Sequence, residues 1–286
     1  MNTNESPFRD FSEPHSAHVD AIPVLYRHRE AISQLANEIS ANVMPTSELV
    51  RGARRIHFGY ALQALDEVTI AAQMTLTAGC YSVAEALSRI IFEQAINLMY
   101  IAEDQSKSRL TALLKHYITD ARRRAKNWEG SSAHLKDELG VIGARKKIEY
   151  LDAIRAGNDW YKKAPGWPEA RRRFFETGFE HQYHLLFSSA SDSVHSLAQD
   201  VFNLVVAQSY PDDVRPHALK AFQVEKASFA IYLVINAYLF YAYAVLRVTG
   251  ALKDSTSKDH LEEIARNLGA MSNEHDALTS RMYERM

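Results

Sequence analysis

The stretch SVAEALSRIIFEQAINLMYIA, residues 82–102, decides how the rest of the chain is read. Ser82 and Glu85 stand at the spacing of a capping box, in which a serine oxygen and a glutamate carboxylate satisfy each other's orphan backbone amides, so a helix is expected to start here. Across residues 90–102 the only charge is Glu93. A helix apolar on nearly every side is buried on nearly every side, which puts Glu93 deep among neighbouring helices. Glu85, Arg89, Glu93 and Asn97 recur every four residues and form one polar ridge, along which Glu85 and Arg89 can pair. Burying Arg89 or Glu93 alone is costly, so if both lie inside they need each other or a partner from another helix.

Helical spacing of apolar residues continues in both directions, broken by only 11 Gly and 8 Pro, with no sustained alternation that would mark strands. The expectation is an all-α protein, a bundle of about seven or eight helices. A first helix begins near Pro23 and ends before Pro45, and a second runs from about Ser47 to Gly79. A fourth carries Leu110, Leu113 and Tyr117 and stops at Gly130, and a fifth starts at Ala133 and ends near Ile154. Residues 156–168, AGNDWYKKAPGWP, form the best internal boundary, with Trp160 and Trp167 placed to pin it down. Beyond Gly178 a long helix is expected to about Gln208, then a turn at 210–216 and an apolar helix over 217–248. The resulting organisation is a flexible arm at 1–18, one helical domain at 19–250 and an amphipathic helical tail at 251–286. The arm is polar, carries Pro7 and Pro14, and has no apolar run suited to a signal peptide.

A net charge of −2 and a pI near 6.6 argue against a dedicated nucleic-acid binder, which needs a basic excess to neutralise phosphates, and leave only a local basic face open. No DNA-binding signature is present. The single Cys80 cannot form an intramolecular disulfide, which fits a reducing, cytoplasmic setting, and it reads as a small apolar packing residue. Residues 228–246 carry no charge and just reach the length needed to span hydrocarbon. Tyr232, Asn236, Tyr238, Tyr241 and Tyr243 run through this segment, and each polar group inside a membrane would need a partner, so a buried core helix is preferred to a span.

A second four-residue series, Tyr183, Phe187, Ser191 and His195, offers a phenol, a hydroxyl and an imidazole along one stripe, with Asp192 one turn before His195. Together, residues 84–102 with Arg89 and Glu93 and residues 183–195 (YHLLFSSASDSVH) resemble a widespread bacterial family of helical domains of unknown function, over roughly residues 47–208. That family pairs an Arg-x-x-x-Glu helix with a Tyr-rich segment ending in Ser-x-x-x-His, often followed by proline and a small residue where this chain has Ser196 and Leu197. The resemblance implies a fold and a motif but no reaction. The family is in turn distantly similar to the HEPN superfamily, helical bundles that often dimerise and in which an arginine with a histidine four to six residues on forms a metal-independent ribonuclease site. Here the matching positions are Ser189, Ala190 and Ser191, so a nuclease would have to use Arg89 from the other helix, with His195 as general acid or base.

The candidate site is therefore Arg89, Glu93, Ser191 and His195, which either hold core helices in register or act on RNA at a cleft. No metal site is expected: Asp192 and His195 have ligand spacing, but a second such pair is missing, and Glu180, His181 and His184 lie on partly different faces. Cys80, Ser188 and Ser191 sit in no nucleophile elbow and no glycine-rich loop offers a phosphate cradle, so no cofactor is expected. Three basic clusters remain: Arg122, Arg123, Arg124 with Lys126; Arg145, Lys146, Lys147; and Arg171, Arg172, Arg173. Gathered on one surface near Trp128, Trp160 and Trp167, they would make an RNA-binding patch led by Arg122, Arg123, Arg171 and Arg172. As separate solvated faces they would be neutralised by Glu129, Glu149, Glu169 and Glu176. The leading reading is a structural, binding or regulatory module, the alternative is a HEPN-like RNA-cleaving or RNA-binding protein, and the partners these name are RNA and a second copy of the chain.

Overall fold

The computed structural model describes residues 18–43, 49–106, 108–190, 198–254 and 257–283, and among them every regular element is helical. In chain order these are α1 (Ile22–Val43), α2 (Leu49–Thr77), α3 (Tyr81–Ala102), α4 (Ser108–His134), α5 (Glu138–Gly157) and α6 (Asp159–Lys163). Then come α7 (Ala170–Glu176), α8 (Glu180–Gln182), a π-helical turn (Tyr183–Phe187), α9 (Ala198–Gln208), α10 (Arg215–Leu252) and α11 (Lys258–Tyr283). The all-α expectation holds, but eleven α-helices among the described residues exceed the seven or eight expected. The excess comes from the middle of the chain. Pro165 and Pro168 interrupt the backbone hydrogen-bond ladder, and Gly178 takes φ 85°, a left-handed conformation that ends α7.

The contacts divide the chain into two compact units: a body (Met1–Ala102 with Arg173–Met286) and an insert (Glu103–Arg172). In the body the most extensive packing is between α3 and α10, with α2 against α3, α1 against α2 and α11 against α10. Among the described residues the main partner of α3 is thus α10. The reason is that α10 is apolar almost all round: Ile231, Val234, Ile235, Tyr238, Tyr241, Ala242 and Val245 are all buried. Phe92 of α3 meets Phe240 of α10 edge to face at 5.1 Å. By length and composition α10 could cross a membrane, with a mean hydropathy of 1.8, yet 72% of that window is buried within the protein.

The polar groups along α10 have partners from other helices of the body. Tyr238 donates to the Thr69 carbonyl at 3.2 Å and Tyr241 to Asp66 Oδ1 at 3.2 Å, both on α2. Asn236 Nδ2 donates to Ser272 Oγ at 3.0 Å and Tyr232 to Asp276 Oδ2 at 3.3 Å, both on α11. The C-terminal tail is therefore a docked element, α11, burying Leu261, Ile264, Ala265, Leu268, Ser272 and His275 at helical spacing.

In the insert, α4 and α5 pack along each other and are joined by a tight turn. Lys136 takes φ 56° there, and Asp137 caps α5 by accepting the Gly140 amide at 3.0 Å. A Cβ at Gly140 would fall 2.1 Å from Asp137 Oδ2 and 2.3 Å from Ser132 Oγ, so a larger residue here would have to displace the capping carboxylate. A Cβ at Gly143 would lie 2.9 Å from the Trp128 ring, so a larger residue there would have to push the half-exposed indole aside. The helix passes through the expected stop at Gly130 because the break is made at this turn instead. A small core of Ile118, Ala121 and Leu151, with Ile154, Trp160 and Tyr161 against it, holds the unit together, so Trp160 does pin the boundary segment.

The units differ sharply in charge. The insert carries 16 Lys and Arg against 10 Asp and Glu, a net of +6. Subtracted from the whole-chain totals of 33 and 35, this leaves 17 against 25 in the body, a net of −8.

Candidate functional site

On α3, Arg89 Nη1 and Glu93 Oε2 pair at 3.7 Å, and the Arg89 guanidinium lies 4.5 Å from the centre of the Phe187 ring. Glu93 is not the deep carboxylate of the ridge: its side chain is 37% exposed, whereas that of Glu85 is 1% exposed. A four-residue step advances about 40° around the helix, so the two positions face different neighbours. Glu93 also receives Arg173 Nη2 at 3.3 Å. Arg173, grouped in sequence with a surface cluster, is buried here; burial pushes its guanidinium pKa down, against the upward pull of the Glu93 charge. Behind this pair Tyr183 and Phe187 stack at 5.4 Å with Phe174 beside both, in the π-helical turn. Ser191, Asp192, His195, Ser196 and Leu197 lie outside the described residues, as does the arm up to residue 17.

Three further polar clusters in the body were not anticipated. Lys226 Nζ lies 2.7 Å from Glu85 Oε2 and 2.8 Å from Asp200 Oδ2, and Ser82 Oγ donates to the same Asp200 oxygen at 3.2 Å. Burial alone would push the Lys226 ammonium down, but the hydrogen bonds and charges of Asp200 and Glu85 outweigh it and the net shift is upward. Since α3 begins at Tyr81, Ser82 sits inside the helix and serves this cluster, not the expected N-cap. The second cluster places Arg29 Nη1 3.8 Å from Asp66 Oδ1, the oxygen that accepts from Tyr241. In the third, His18 Nδ1 and His275 Nε2 lie 2.7 and 3.0 Å from Ser228 Oγ, with the two imidazoles stacked at 3.7 Å. His18, the last residue of the expected arm, is buried. Cys80, expected to pack inside, is exposed in the turn where Gly79 takes φ 71°.

The insert holds a half-open polar cavity. The cavity, of about 290 Å³, is lined by Thr119, Arg122, Arg123, Lys126 and Asn127 of α4 and Arg155 of α5. The α4 residues fall at i, i+3, i+4, i+7 and i+8, so the helix itself gathers them on one face. Arg122 grips Asp152 through Nε and Nη2 at 2.7 and 2.9 Å, and Arg155 Nη1 reaches the same carboxylate at 3.0 Å. Arg155 also lies over the Tyr161 ring at 5.4 Å, and Tyr161 shares a hydrogen bond of 3.0 Å with Thr119. Arg123 donates to Asp120, which Arg124 also approaches at 3.2 Å. The Arg122 hydrogen bond holds the Asp152 carboxyl below the usual carboxylate range, and Arg123 does the same for Asp120. Arg145 is paired with Glu129 at 2.7 Å, as solvated charge was expected to be. Arg171 and Arg172 are exposed and are not part of the cavity lining.

Sequence reading picked Arg122 and Arg123 and missed Thr119, Lys126 as a lining residue, Asn127 and Arg155. The α4 spacing was a readable signal, whereas the bridge from Arg122 to Asp152 depends on the hairpin register. Among the described residues no group of three or more His, Cys, Asp or Glu is placed to hold a metal ion.

The chain belongs to a family of unknown function (DUF5677), which it matches over residues 56–212. That range takes in α3, the whole insert and α9. No curated protein and no solved structure matches the chain.

Proposed function

We propose that this protein is an RNA-binding helical module whose insert carries the phosphate-contacting surface. The observation behind this is the cation-lined cavity on α4, set in a unit of net charge +6 although the whole chain is slightly acidic. Asp152 fixes Arg122 and Arg155 in place, so their remaining N–H groups are oriented before any ligand arrives. Asn127 and Thr119 add neutral polar groups suited to a ribose hydroxyl or a base edge.

The test is fluorescence anisotropy with a labelled single-stranded RNA over a range of salt. Four cations engaged with phosphates give a slope of log K against log salt of about −3. Removing Arg123 and Lys126 together should flatten that slope and weaken binding; a wild type that binds no RNA at low salt would remove the proposal.

Cleavage is the finer, distantly HEPN-like form of the same reading, with Arg89 and His195 as the acting pair. It is supported if the wild type degrades the RNA while Arg89→Ala and His195→Ala are folded and inactive. Intact RNA after incubation with wild type would end the cleavage reading and leave binding standing.

A further inference from the structure

We infer that the α4 cavity is an end-recognition subsite, taking the terminal phosphomonoester of an RNA strand in preference to an internal phosphodiester. This rests on the RNA-binding reading and narrows it.

Charge is the first argument. The lining supplies four cations: Arg122, Arg123, Lys126 and Arg155. Asp152 is shared by Arg122 and Arg155 and Asp120 is paired with Arg123, so the four lining cations stand against two carboxylates, an excess of two positive charges. An internal phosphodiester carries one negative charge. A terminal phosphomonoester carries about 1.5 to 2 near neutral pH and presents three acceptor oxygens, which matches that excess.

Donor geometry is the second. Arg122 uses Nε and Nη2 on Asp152, leaving its Nη1 hydrogens outside that pair. Arg155 uses Nη1 on the same carboxylate, and its buried Nε has no acceptor among the described residues. A buried donor without an acceptor costs free energy that an arriving oxygen, with a small guanidinium shift, relieves. Lys126 is exposed on the cavity face, a mobile point charge beside the fixed guanidiniums.

Size is the third. About 290 Å³ is near the lower end of small-molecule pockets, roughly 300 Å³, which is room for one phosphorylated terminal nucleotide.

The experiment compares one RNA sequence in three forms, with hydroxyl ends, with a 5′-phosphate and with a 3′-phosphate, on the full chain. One phosphorylated form is expected to bind about tenfold or more tightly than the hydroxyl form, the effect of an added charge-assisted contact. Lys126→Ala and Asn127→Asp, both at exposed positions and checked for native helicity by circular dichroism, should bring that ratio toward one. Equal affinity of the wild type for all three forms overturns end recognition and leaves RNA binding intact. Failure of all three to bind overturns both. Adenosine 5′-monophosphate is the remaining arm: if it binds tightly while phosphorylated RNA does not, the site belongs to free nucleotides and the assignment to RNA falls.

Discussion

In the body, Lys226 meets Glu85 at 2.7 Å with the carboxylate 1% exposed; in the insert, Arg122 meets Asp152 at the same 2.7 Å with side chains 25% and 41% exposed. Equal distances conceal unequal consequences. Around Glu85 there is little water to screen or replace the lysine, so the pair is tied to the folding of the body. Around Asp152 water competes, and the pair contributes little to stability while still holding a guanidinium in one orientation. Interior charge in this protein serves the packing of α3, α9 and α10, and surface charge in the insert is left in positive excess.

The comparison is most exposed to Lys226→Ala. Removing the ammonium that meets the buried Glu85 carboxylate should destabilise the protein by about 3 kcal/mol in urea denaturation. A change below about 1 kcal/mol would mean that the cluster is solvated like the surface pairs.

Alkaline pH probes the same interior. Burial pushes the Tyr232 hydroxyl up to about 12 and those of Tyr238 and Tyr241 further up, with nearby Asp276 and Asp66 adding to Tyr232 and Tyr241 respectively. A raised folded value means stability fully present below the ordinary tyrosine pKa of about 10 and lost as pH rises through the folded value. In a titration followed by tyrosinate absorbance, these three of the 14 tyrosines should ionise only as helical signal is lost. Full ionisation with the helices intact would contradict their burial.

For the insert, Arg122→Ala should cost little stability, measured as a small fall in melting temperature. Because Asp152 is held below the usual range, its pairing contribution is present above about pH 4 and lost as pH falls through the lower folded value; melting temperatures compared between pH 7 and 5 should show no loss from this pair. The smallest effect is Lys126→Ala, within about 0.5 kcal/mol of wild type in stability, while RNA affinity drops. A large destabilisation there would make Lys126 part of the fold and blur the distinction between the two units.

Helical periodicity made the all-α fold legible, and the tyrosines of residues 228–246 marked that segment as needing partners before α2 and α11 were seen to provide them. The candidate site was legible only in part. Arg89 and Glu93 pair because four-residue spacing is a property of the helix itself. Lys226 and Asp200 were invisible, since they reach Glu85 from helices far away in sequence and no local pattern encodes that encounter. The same limit hid Arg173 behind its exposed neighbours Arg171 and Arg172, because three successive helical residues point in three directions.

The stacked imidazoles of His18 and His275 join the two ends of a body that the insert interrupts. A ribosome delivers α1 to α3 and then the complete insert while α10 and α11 are still unmade. At roughly 5–20 residues per second, α11 follows the end of the insert by on the order of ten seconds. During that interval the α4–α5 hairpin, whose contacts are local, can close on its own, but the apolar face of α3 has no α10 to cover it. That uncovered face is the surface a nascent-chain chaperone would meet first.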